Sequence, residues 1–191
     1  MWNVGHTLVS VSGTGVWVVV LAAGASSRFG SPKQRLLVEP VLERVRASGG
    51  IDGVVVVTGA HELKASAMTV HCPEWERGPG ASLRCGLAAL PPEAQAAVVV
   101  LADGPDLSPE AIDRVAARWH EDRPAVVAAT YCGTRLHPVL LDRRAWPDVP
   151  DDGARTLDAV LVSCDDLGPP GDVDHADDLP DRLKPWSSPD P

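Results

Sequence analysis

The chain has 191 residues, enough for one domain with a substantial core; its hydrophobic share of 45% is ordinary, and aromatics make up only 4%. Its formal charge of −9 is uneven: residues 1–147 carry 14 acidic and 14 basic side chains, whereas residues 148–191 carry 12 and 3. A balanced body gives no general nucleic-acid surface, and the longest apolar run, Val16 to Ala23, is too short to span a bilayer. No basic segment followed by a long apolar core opens the chain, so the expected compartment is the cytoplasm. Cys72, Cys85, Cys132 and Cys164 form no C-x-x-C pair and have no His at ligand spacing, which argues against zinc and for free thiols in a reducing compartment.

Residues 1–15 read as a frayed, disordered extension, with a short edge strand through Leu8, Val9 and Val11 as the alternative. Residues 16–184 form the domain, and residues 185–191, rich in proline and serine, read as a disordered tail. The first buried strand runs through Val18-Val19-Val20-Leu21 and opens into Ala22-Ala23-Gly24-Ala25-Ser26-Ser27-Arg28-Phe29-Gly30-Ser31-Pro32-Lys33. A loop of small residues brings backbone N–H groups close to whatever lies over the strand end, and Gly24 offers no Cβ to obstruct it. Two cations in one loop suit a polyphosphate. The spacing is neither a Walker A motif nor a G-x-G-x-x-G dinucleotide fingerprint.

Downstream, Pro40 to Ala47 reads as a helix with Val41, Leu42 and Val45 at helical spacing, followed by a strand over Ile51 to Val57 and the turn Thr58-Gly59-Ala60. Glu62 to Met68 reads as helical and Thr69 to His71 as a short strand. Leu83, Leu87 and Leu90 share a helix face, and the glycine-rich start of that helix makes an N-terminus able to accept an anion or a base edge. Ala97 to Leu101 is a third buried strand, ending at Ala102-Asp103-Gly104-Pro105. Ser108 caps a helix with Pro109 in its first turn and Ile112, Val115 and Trp119 on one face; Ala125 to Thr130 and Val160 to Cys164 are the last strands. Short apolar strands alternating with helices predict an α/β fold with a mainly parallel sheet covered on both faces. Right-handed crossovers then put the first loop and Asp103 at one sheet edge, where open α/β sheets bind ligands.

Leu21-Ala22-Ala23-Gly24-x-Ser26-x-Arg28-x-Gly30-x-x-Lys33 resembles the signature loop of the MobA-like nucleotidyltransferases, and four later segments resemble the family in order. These are Pro73-x-Trp75-x-x-Gly78 through Ser82-Leu83-x-x-Gly86-Leu87, Tyr131-x-Gly133 through His137-Pro138-Val139-Leu140, Asp152-Gly153-Ala154-Arg155, and Asp172-Val173-Asp174 through Leu179. The chain departs from the pattern at Cys72, Pro79, Leu136 and His175, and the connection after Lys33 is shortened. The resemblance spans roughly residues 16–183.

The resemblance implies a Rossmann-like three-layer αβα sandwich of the nucleotide-diphospho-sugar transferase type, and transfer of a nucleotidyl group to a phosphorylated acceptor. It implies that Leu21, Ala22, Ala23, Gly24, Gly59 and Ser82 bind nucleotide, with Arg28 and Lys33 on its phosphates. Catalysis would rest on Lys33, Arg28 and Asp103, and Mg2+ on Asp103 and Asp174, with Asp172 the alternative ligand. Each aspartate has a plainer reading as well: Asp103 as a turn residue, Asp174 as one member of a solvated acidic stretch. His137 and Arg155 would line the acceptor pocket, although a structural histidine and a surface ion pair account for them equally. Ala23 in the L-A-A-G form points to CTP over GTP in this family, and the resemblance to molybdenum cofactor cytidylyltransferase-like proteins implies a pterin-type acceptor and a molybdoenzyme partner. Tyr131 to Leu141 and Cys164-Asp165-Asp166 also resemble relatives named nicotine blue oxidoreductase, although no flavin or nicotinamide fingerprint is present; a non-catalytic cofactor carrier is the third reading.

Overall fold

The computed structural model describes residues 13–184. Seven strands form one sheet in the order β3-β2-β1-β4-β6-β5-β7. The strands are β1 (Val16–Ala22), β2 (Gly53–Thr58), β3 (Met68–His71), β4 (Ala96–Leu101), β5 (Val126–Tyr131), β6 (Thr134–Asp142) and β7 (Val160–Ser163); the helices are α1 (Gln34–Arg46), α2 (Pro79–Ala88) and α3 (Pro109–Asp122). Pairing is parallel everywhere except at β6, which lies antiparallel between β4 and β5.

Alternation along β1 builds the layers. Val16, Val18, Val20 and Ala22 face α1 and α3, while Val19 faces α2, and both sets are buried. On one face Val38, Val41, Leu42 and Val45 of α1 meet Ile112, Val115 and Trp119 of α3; on the other, Leu83 and Leu87 of α2 join Leu90. Gly86 lets α2 sit directly on the sheet, because a Cβ there would meet methyls of Val19 and Val57, the latter at 2.7 Å. Gly86→Ala should therefore lower unfolding stability by about 1–3 kcal/mol through overpacking, despite alanine's better helix propensity, as read from denaturant melts.

The structure corrects several sequence-based expectations. The helix expected to start at Pro40 starts at Gln34, with Pro40 inside it. The buried stripe Gln34, Leu37, Val38, Val41, Leu42, Val45 runs unbroken past the proline, and its burial outweighs one missing backbone bond. The connection after Lys33 is thus short because the helix begins at once.

Residues 62–67 are irregular, not helical. Glu39 of α1 accepts hydrogen bonds from the Ser66 N–H and hydroxyl at 2.6 and 2.5 Å, and Arg46 donates to the Ser66 carbonyl at 2.7 Å, so side chains of α1 take the backbone groups a helix would use.

The antiparallel β6 was not anticipated. Its signal is the two-residue turn Cys132-Gly133, both residues at positive φ (50° and 80°), which folds β6 back on β5 with Tyr131 opposite Thr134. Cys72 and Cys85, expected as free thiols, are joined in a disulfide; Cys132 and Cys164 are free. They meet because α2 packs across the end of β3, bringing their Cα atoms to 5.7 Å. Thr14 and Gly15, assigned to the extension, donate to the Asp52 carboxylate at 2.7–3.0 Å. The edge strand considered for Leu8, Val9 and Val11, and the tail at 185–191, lie outside the described residues.

Candidate active site

The β1–α1 loop carries the first part of the site. Ser26 holds a left-handed backbone, φ 54°, fixed by a 2.6 Å bond from its hydroxyl to Gln34 Oε1, while Gln34 Nε2 donates to the Gly24 carbonyl at 2.8 Å. Among the described residues, the N–H groups of Gly24 to Arg28 donate to no protein acceptor. A Cβ on Gly24 would approach only Gln34, at 3.7 Å, so the fold itself leaves room for a side chain there.

Lys33 ends the loop, and its side chain is largely buried. It donates to Asp103 Oδ2 at 3.0 Å and to the Val173 carbonyl at 2.6 Å, and lies 3.7 Å from Asp174 Oδ1. Arg28 is exposed and reaches Asp174 Oδ2 at 2.6 Å. The acidic C-terminal segment is therefore anchored, not merely solvated. Val173 and Leu179 pack on Leu37, and the Val173 N–H donates to the Asp103 carbonyl at 3.0 Å. Asp172 is exposed and makes no hydrogen bond or ion pair among the described residues; desolvation first, then repulsion from Asp103 and Asp174, pushes its carboxyl above the usual range.

Three adjoining cavities lie along this edge. One of about 290 Å³ holds Gly24, Ser26, Arg28, Lys33, Asp103 and Asp174. A second of about 290 Å³ shares Gly24 with it and is walled by Leu21, Ala23, Trp75, Pro79 and Ser82. A third of about 310 Å³, mainly apolar, shares Leu21 and Pro79 with the second and contains Arg135, His137 and Arg155. Ala22 is buried beneath the loop, and Gly59 lies behind Trp75, where a Cβ would come within 2.7 Å of both Trp75 and the Ala23 carbonyl. Neither lines these three cavities; each shapes one from behind.

The α2 N-terminus does not offer the donors expected of it. Pro79 has no N–H, and the Gly80 N–H is taken by the Asp151 carbonyl at 2.8 Å. Ser82 remains as the polar group there. Arg155 is exposed and makes no hydrogen bond or ion pair among the described residues. Arg135 was not anticipated by the sequence. Its guanidinium holds the Leu157 and Ala154 carbonyls at 2.6 and 2.9 Å, fixing the wall that bears Arg155, while its Nε is buried without a partner.

His137 Nε2 is buried without a partner against Gly104, where a Cβ would come within 2.6 Å of it. Burial lowers its pKa to about 4, outweighing the opposing pull of Asp103, so the imidazole is neutral at pH 7. Because the unfolded chain takes up this proton near pH 6.5 and the folded chain only near 4, stability should fall as pH drops through that window, by up to about 3 kcal/mol. Melts of the parent and of His137→Gln between pH 7 and 4 check this: the variant should show a flatter slope.

A loop of uncommitted amides beside Lys33, Asp103 and Asp174 thus lies at the carboxyl edge of a mainly parallel α/β sheet, the edge at which such sheets bind ligands. The family profile of the MobA-like NTP transferase domain matches residues 18–166, and the chain belongs to that family of nucleotidyltransferases. Among solved structures, Rv0371c from Mycobacterium tuberculosis H37Rv is 26% identical over 85% of this chain and 95% of that one, with a TM-score of 0.67; it has also been solved in complex with manganese. Its homologue from Mycobacterium sp. strain JC1 is 23% identical over 87% and 93%, with a TM-score of 0.72. Molybdopterin-guanine dinucleotide biosynthesis protein A from Archaeoglobus fulgidus is 16% identical over 87% and 96%, with a TM-score of 0.61. No curated protein matches the chain. Among the described residues, no helix is long and apolar enough to cross a membrane.

Proposed function

We propose that the protein transfers a cytidylyl group from CTP to a phosphorylated pterin-type acceptor, releasing pyrophosphate. An acceptor phosphate oxygen attacks the α-phosphorus in line, the bond to the β-phosphate oxygen breaks, and the electron pair leaves with pyrophosphate. The chain's work is to hold both partners and offset developing charge. Lys33 serves as a buried point charge and Arg28 as an exposed fork on the phosphates, and the uncommitted amides of the Gly24–Arg28 loop add donors. The room left at Gly24 fits a position kept small for a ligand.

The observation that carries this reading is the convergence of Asp103 and Asp174 on one cationic centre, at 3.0 and 3.7 Å from the Lys33 ammonium. Two carboxylates around one positive charge are a donor set that fits magnesium, whose remaining ligands are phosphate oxygens and water. When bound, Mg2+ would neutralise phosphate charge.

The cavity walled by Leu21, Ala23, Trp75 and Ser82 suits a base, and Ala23 favours cytosine by family pattern. In the apolar third cavity, Arg155, with no protein partner there, supplies a cation for the acceptor phosphate, and Arg135 fixes the wall that carries it. The cytoplasm and a molybdoenzyme recipient follow from the same reading. Incubation with CTP, Mg2+ and a phosphorylated pterin should release pyrophosphate only when all are present; no release, or faster release from GTP, would refute it.

A further inference from the structure

We propose that Cys72 and Cys85 form a reversible oxidation site that sets the order of the base-cavity wall; the consequence for affinity rests on the nucleotide reading above. The disulfide closes the chain between two residues 13 apart, and that closed segment contains Trp75, Glu76, Gly78, Pro79 and Ser82, most of the wall of the second cavity. On its other side that cavity is bounded by ends of β1 and β4, which the sheet already fixes. The cross-link therefore acts on the side of the wall opposite those strand ends, where Trp75, Glu76 and Gly78 lead into α2.

Both redox states have a place in the fold. Cys72 is fully buried and Cys85 partly exposed, so a reagent from solvent meets Cys85 first. In the dithiol form the Cys72 sulfur, 3.6 Å from the Ala81 carbonyl, has an acceptor for its S–H. The oxidant is a small-molecule disulfide of the glutathione type. The Cys85 thiolate attacks one of its sulfurs, forming a mixed disulfide and releasing a thiolate; the Cys72 thiolate then attacks the Cys85 sulfur and expels a second thiolate. Two protein thiols are oxidised, one external disulfide is reduced to two thiols, and the two protons pass to the departing thiolates. Opening the cross-link frees the segment, and a wall that must be ordered on binding costs affinity.

The test uses the full chain, equilibrated in oxidised or reduced glutathione and with thiols counted by alkylation and mass spectrometry. Expected is loss of two alkylatable thiols in the oxidised sample, with a peptide linking Cys72 to Cys85, and about tenfold faster amide exchange over residues 74–82 after reduction. Titration with Mg2+ and CTP should show affinity five- to tenfold weaker, to about that order, in the reduced form. Cys85→Ser should behave as reduced in either buffer, whereas Cys132→Ser should behave as the parent. Thiols that stay alkylatable under oxidant, or exchange over 74–82 that ignores redox state, would overturn the proposal, as would equal CTP affinity of the two forms. Redox-dependent exchange in a protein that binds CTP in neither state would uphold the oxidation site and refute the nucleotide reading.

Discussion

Asp103→Asn should reduce nucleotidyl transfer by about 10²–10³-fold in kcat while the protein stays folded. Asparagine keeps the shape and removes the charge that faces the Lys33 ammonium at 3.0 Å. Lys33 would retain the Val173 carbonyl at 2.6 Å and Asp174 at 3.7 Å, so the buried cation is not stranded. The stability cost should stay below about 2 kcal/mol, since Asp103 is partly exposed. Steady-state kinetics with melts run alongside separate the two effects. Near-normal turnover would return Asp103 to the role of a turn residue before Gly104-Pro105.

Lys33→Met should produce a split result. Turnover should fall by a similar 10²–10³-fold, roughly, because phosphate charge compensation goes with the ammonium. Yet affinity for a divalent cation added alone should rise, because the ammonium lies where Asp103 and Asp174 converge. With that competitor gone, Asp103 has lost its cation and Asp174 keeps only Arg28, at 2.6 Å, so Mn2+ should bind about tenfold tighter in the absence of nucleotide. Methionine retains the buried stem, which keeps packing loss small. Calorimetry or Mn2+ electron paramagnetic resonance reads the change, and weaker Mn2+ binding by the variant would show that the carboxylates do not form one metal site.

The scaffold was legible where hydrophobic pattern is unambiguous. The valine runs of β1, β2 and β4 and the Ile112, Val115, Trp119 face of α3 stand as expected, because each is buried among its own kind. What escaped was governed by partners distant in sequence. Residues 62–67 have helix-compatible composition, but Glu39 and Arg46 capture Ser66. Pro40 looked like a helix start because the burial that carries α1 across it is tertiary. Cys72 and Cys85 carry no pairing motif, since their meeting depends on where α2 crosses the sheet.

The candidate site divides in the same way. Arg28, Lys33 and Asp103 were placed at one sheet edge by the crossover rule, whereas Asp174, 141 positions after Lys33, had only the family-like order of motifs as its sequence signal. Arg135 was invisible because its partners are backbone carbonyls, which no sequence pattern advertises. The expected anion site at the start of α2 failed for a similar reason, its Gly80 N–H being taken by the Asp151 carbonyl.

Because α1 begins directly after Lys33, no connecting chain is left there to cover a bound nucleotide, so binding should be weak, and an insertion after Lys33 should strengthen it. Calorimetric titration of CTP and GTP, each with and without Mg2+, tests the central claim most directly. The account predicts weak but measurable CTP binding that requires Mg2+, with GTP weaker still. Absence of binding by either nucleotide, or a preference for GTP, would contradict it.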